Sequence, residues 1–195
     1  DLDLLLDPLV RDGKEAVGSM GDDAPPAVLS AQPRPLAHYF RQNFSQVTNP
    51  PIDPLREAGA MSLKTRFKNL GNILAEEEAQ TDVFVLDSPV LTTGMYERML
   101  DVVGAGSTAV IDCAYALPTE GARPGAGLRQ ALDRIMAEAE AAARGGSGLI
   151  VLTDERADAA RLAAPMILAT AGVHKRLTDA GLRTYCSIVV RTAET

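Results

Sequence analysis

The chain has 195 residues, 46% hydrophobic and 23% charged, with a mean hydropathy close to zero, which leaves room for one domain with a real core and excludes a disordered or membrane-embedded composition. A formal net charge of −7 argues against nucleic acid and anionic membrane surfaces as partners, since both would repel it. Aromatic residues are 4% and Trp is absent, so the core must come from Ala, Leu, Ile, Val and Met.

The longest basic stretch, Lys64 to Lys68, holds three charges and reads as a solvated surface segment. Cys113 and Cys186 are too few and too far apart for a disulfide framework or a zinc site. Both fall inside predicted strands, so two reduced, buried thiols and a cytoplasmic setting are expected. The most apolar run, residues 163–173, is too short to cross a bilayer. A start at Asp1 and an end at Thr195 just past a strand suggest a piece of a longer, multidomain chain.

Eight of the twelve prolines lie in the first 60 residues. Proline fixes φ and removes a donor, so residues 1–80 read as short helices joined by ordered loops that pack against something else. Residues 35–44 fit one such helix, with Leu36, Tyr39, Phe40 and Phe44 on one stripe. Residues 81–195 are more regular. Thr92 and Thr93 can cap a helix through Met95, Met99 and Leu100 to about Val103. Residues 108–113 then read as a strand, and 128–144 as the clearest helix, carrying Leu128, Leu132, Ile135, Met136 and Ala139 at helical spacing before Gly145 and Gly146. Residues 149–152 form a second strand, Pro165 opens a helix ending near Gly181, and residues 184–190 form a third strand. Strand–helix–strand–helix–strand indicates an α/β fold of parallel βαβαβ units, with both sheet faces covered and its edges open.

Ligands of α/β folds gather at the carboxyl ends of strands, here Asp112, Cys113, Thr153, Asp154, Arg191 and Thr192. Asp112 and Asp154 could form an acid/base pair or bind a cation; the competing reading has them capping the segments that follow. No nucleophile elbow, P-loop or dinucleotide fingerprint occurs, and Gly18-Ser19-Met20-Gly21 is followed by two aspartates that would repel a phosphate. Asp1, Asp3 and Asp7 lack the glycine and terminal glutamate of a calcium loop. His38 and His174 have no ligand-spaced partners, and His174 reads as a partly buried, hydrogen-bonded side chain. The residue chemistry alone gives an α/β domain with no metal, cofactor-binding or catalytic set of its own.

Three stretches of the irregular half are distinctive: KEAVGSMGDDAPPAVLS (14–30), QNFSQVTNPPIDPLRE (42–57) and MSLKTRFKNLGNIL (61–74). In order and spacing they resemble the start of the central domain of glutamate synthase large subunits, and the resemblance runs on through LDSPVLTT (86–93) and from ATAGVHKRL to SIVVRTAE (169–194). Relatives often read DDTPLAVLS where this chain has Ala24 and Pro26, and carry a second histidine where Lys175 or Arg176 stands, differences that touch local packing. The resemblance implies a degenerate, barrel-like domain linking an amidotransferase domain to an FMN-containing synthase barrel of the same polypeptide. Such a polypeptide makes L-glutamate from L-glutamine and 2-oxoglutarate. It would hold FMN and an iron–sulfur cluster outside this segment, and take electrons from a small flavoprotein subunit with FAD and NADPH, or from NADH or ferredoxin. It further implies that Met20 and Thr48 line the ammonia tunnel through their backbone groups, with Ser19, Gly21 and Asn49 beside them. A free-standing α/β binding or regulatory domain is the alternative of another class, and a small hydrolase using the two aspartates a third.

Overall fold

The computed structural model describes residues 3, 6–13, 29–31, 36–40, 56, 59–68 and 70–194. The chain divides into two compact units, Asp1–Asp53 and Pro54–Thr195.

In the first unit, helix α1 (Asp7–Asp12) has Pro8 in its first turn and an exposed Arg11–Asp7 ion pair at 2.9 Å. The expected helix over 35–44 is, among its described residues, a 3-10 turn over Leu36–Phe40, with Tyr39 and Phe40 exposed and not packed as a stripe.

The second unit is built on a parallel sheet of β3 (Thr108–Asp112), β5 (Leu149–Thr153) and β7 (Ser187–Arg191), with β5 in the centre. Register is uniform: Thr108 lies beside Leu149 and Leu149 beside Ser187, and Asp112, Thr153 and Arg191 form the last row. Every residue of β5 is buried, as a central parallel strand with both faces covered requires. Side chains alternate across its plane. Ile150 and Leu152 enter a core with α3 (Ala126–Arg144) and α4 (Met166–Asp179); Leu149 and Val151 enter a second core with α2 (Thr93–Val103). Each such aliphatic side chain contributes about 1.5–3 kcal/mol when fully buried.

The helices follow from their spacing. Thr92 accepts the Met95 amide at 3.3 Å and caps α2. On α3 the buried stripe is Ala131, Ile135, Ala139 and Ala143, and its small residues let α4 approach with Ala169, Val173 and Leu177. Beyond α3, Gly146 takes φ +91°, which a side chain would resist.

Four short strands complete the unit among its described residues. An antiparallel pair, β1 (Thr65–Phe67) and β2 (Phe84–Leu86), brings Phe67, Phe84 and Leu86 to the α2 core. A second pair, β4 (Ala114–Ala116) and β6 (Arg161–Ala163), extends past the carboxyl end of β3. The sequence placed the third parallel strand from Thr184; it begins at Ser187, because Arg183–Tyr185 is a 3-10 turn closed by the Tyr185 amide on the Leu182 carbonyl at 3.0 Å. Cys186 therefore precedes β7 and Cys113 follows β3, so neither thiol sits within a strand, although both are free and buried in one core. The architecture is α/β, and no closed barrel forms among the described residues.

Candidate functional site

The carboxyl ends of β3, β5 and β7 bring Asp112, Thr153 and Arg191 into one row, and each is engaged locally. Asp112 Oδ1 accepts the Ala114 amide at 2.9 Å, which bends the chain from β3 into β4, while Oδ2 meets Arg161 Nη2 at 2.5 Å. Burial pushes the Asp112 carboxyl up, but the Ala114 amide and Arg161 more than reverse this, and it ends below its ordinary value. A second guanidinium, Arg134 on α3, donates Nη2 to the carbonyls of Asp112 at 2.8 Å and Ala114 at 3.2 Å. Arg161 adds a longer bond to the Ala114 carbonyl at 3.3 Å. Two arginines thus clamp the β3–β4 bend and flank a cleft of about 570 Å³ between α3 and the β4–β6 pair.

Asp154 is held elsewhere. It accepts Thr192 Oγ1 at 2.5 Å, Thr192 Oγ1 in turn accepts the Glu194 amide at 2.9 Å, and Glu194 Oε2 accepts the Met166 amide at 2.7 Å at the start of α4. Pro165, at the N-cap of α4, has no side chain that could do this, so Glu194 supplies the missing acceptor. Arg191 pairs with Glu155 at 2.7 Å and lies 4.8 Å from the Tyr96 ring centroid, a cation–π contact tying β7 to α2. Burial raises the Tyr96 phenol against the opposing pull of Arg191.

The acid/base or cation pairing of Asp112 with Asp154 is thus not what forms: one is locked to Arg161, the other to Thr192. Cys113 is no nucleophile either, since burial pushes its thiol up to about 11. Burial raises Cys186 likewise, with Arg183 opposing. Among the described residues no group of three or more His, Cys, Asp or Glu could hold a metal ion. His174 is exposed, not partly buried, and accepts Arg183 Nε at Nδ1 over 3.0 Å. Asp3 is exposed, and Lys64 and Lys68 pair with Asp87 and Asp82.

Met20 and Thr48, with Ser19, Gly21 and Asn49, lie outside the described residues, as do Asp1 and the side chain of His38. Sequence reasoning missed Arg134, Arg161 and Tyr96. An arginine on the polar face of a helix carries no local signal of what it will meet.

Comparison with known proteins matches a family described as "Glutamate synthase central domain" to residues 1–195. The large chain of an NADPH glutamate synthase from Azospirillum brasilense is 57% identical over 194 residues, covering 100% of this chain and 12% of the relative. A chloroplastic ferredoxin-dependent glutamate synthase from Spinacia oleracea is 39% identical over 197 residues, with the same coverages. An NADH glutamate synthase from Saccharomyces cerevisiae is 36% identical over 97% of this chain and 9% of its own length. The chain thus spans about an eighth or less of these relatives, and with a family match along its whole length it belongs to the glutamate synthase central domain family.

Proposed function

We propose that the chain serves as the connecting segment of a glutamate synthase polypeptide, joining an amidotransferase domain to an FMN-bearing synthase domain and helping to line the tunnel that carries ammonia between them. The observation that carries this reading is the family match over residues 1–195 together with 57% identity to a glutamate synthase large chain. In it, residues 1–80 pack between domains, residues 81–195 form the βαβαβ part, and the polypeptide makes L-glutamate from L-glutamine and 2-oxoglutarate. Relatives named for NADPH, ferredoxin and NADH all carry the segment, so its role is independent of the electron donor. FMN and the iron–sulfur cluster are then held by other parts of the polypeptide. No described helix is long and apolar enough to cross a membrane, which is compatible with a cytoplasmic enzyme.

Within this reading Met20 and Thr48 narrow the tunnel, with Ser19, Gly21 and Asn49 adjacent. Proline- and glycine-rich segments cannot pair all their carbonyls in ladders, and such carbonyls accept hydrogen bonds from NH₃. The test is Thr48→Trp in the full-length polypeptide, comparing glutamine hydrolysed with glutamate formed. A several-fold excess of hydrolysis over glutamate is expected; an unchanged ratio removes Thr48 from the tunnel. A free-standing binding or regulatory domain is not favoured, because the chain aligns end to end with a small part of much longer relatives.

A further inference from the structure

The cleft beside the β3–β4 bend has the chemistry of a ligand site that neither the family nor the tunnel reading assigns. Its floor is small, with Ala114 and Ala131 buried and Gly127 opposite the Tyr115 ring, so about 570 Å³ stays open next to an aromatic face. Its polar lining is Arg134, Arg161, Asp112 and Gln130, with Arg161 paired to Asp112 and Arg134 to Glu138 at the rim. Both guanidiniums are already oriented, because each has Nη2 fixed on the backbone of the bend. Arg134 Nη1 is taken by Glu138 at 3.0 Å, but Arg161 Nε and Nη1 have no partner among the described residues. Nor do the side-chain amide of Gln130 and the Tyr115 hydroxyl.

We propose that this cleft binds a small organic carboxylate, its anionic head on Arg161 and Gln130 and its body against Tyr115 and the alanine floor. A cation is disfavoured, since the lining carboxylate Asp112 is already neutralised by Arg161. A phosphate would bring more charge than two arginines already paired with Asp112 and Glu138 balance, whereas the carboxylate of a monoanion can accept from the unpartnered Arg161 Nε or Nη1 and from the Gln130 amide. The apolar floor gives the body of the ligand a surface that water solvates poorly.

The probe is 3-fluorobenzoate, followed by fluorine NMR with the full-length polypeptide that carries this segment, with fluorobenzene as the neutral control. Two variants read this cleft alone, whatever else in the polypeptide takes carboxylates. Arg161→Gln removes the head contact and is expected to weaken binding about tenfold, the scale of one charge-assisted hydrogen bond. Ala116→Leu, at an exposed position of β4 that lines the cleft beside Arg161, its cross-strand partner, fills it while keeping both arginines and is expected to abolish the saturable component. Identical titrations for wild type and Ala116→Leu would overturn the proposal, as would fluorobenzene binding as tightly as the acid. The tunnel reading is read out by a different ratio at Thr48 and can fail without affecting this one.

Discussion

At the scale of single residues, the segment is organised by groups that bridge elements far apart in sequence. Asp112 is the clearest, fixing its own bend through the Ala114 amide and reaching β6 through Arg161. Its folded pKa lies below the ordinary value of 3.8, so its contribution is fully present above that value and is lost as pH falls through the lower folded value. Asp112→Asn is expected to cost about 1 kcal/mol, a part-buried charged hydrogen bond discounted for the part-exposed Arg161. Hydrogen exchange at the Ala114 amide checks both statements: its protection holds from neutral pH to about 4 and drops below, while in Asp112→Asn that acid step is absent. The aspartate was legible in the sequence as a strand end. Its partner was not, because Arg161 reaches it only through pairing of β4 with β6, two three-residue strands too short to show a period.

At the scale of elements, the long periodic segments were readable and the short ones were not. The three helices α2, α3 and α4 and the strands β3 and β5 stand where their apolar spacing put them, since burial on one face or both decides such segments. The start of β7 was misplaced because Thr184 and Tyr185 have strand-like side chains but fall in a tight turn. Packing of α3 on α4 gives a test of how close the helices run. A Cβ on Gly172 would stand 3.2 Å from Met136 Sδ, the flexible end of an adaptable side chain. Gly172→Ala is therefore expected to be near neutral, the helix gain of about 1 kcal/mol offsetting the displaced thioether. Gly172→Leu is expected to lose roughly 1–3 kcal/mol by overpacking. Local exchange protection along α3 and α4 distinguishes the two; equal protection in both variants would mean the helices are not in close contact there.

At the scale of the whole molecule, apolar surface is left over. Leu74 is 86% exposed, Val90 75%, Leu63 69%, Val102 66% and Val110 61%, on α2, β3 and the connecting segments. Scattered exposed residues are ordinary, but so many large ones fit a segment whose neighbours lie elsewhere in a longer polypeptide. The isolated 195-residue piece is accordingly expected to be marginal, and calorimetry should give a broad transition with a van't Hoff enthalpy well below the calorimetric one. A single sharp two-state transition would show that it needs no neighbours. The central place of β5 carries a consequence for biosynthesis. Leu149 takes its second neighbour, Ser187, from 38 positions further on. At about 5–20 residues per second of translation, β5 emerges with β3 already made and then waits about 2–8 seconds for its other flank. For that interval the most apolar strand of the nascent chain has a bare edge, which is when a chaperone would have its use.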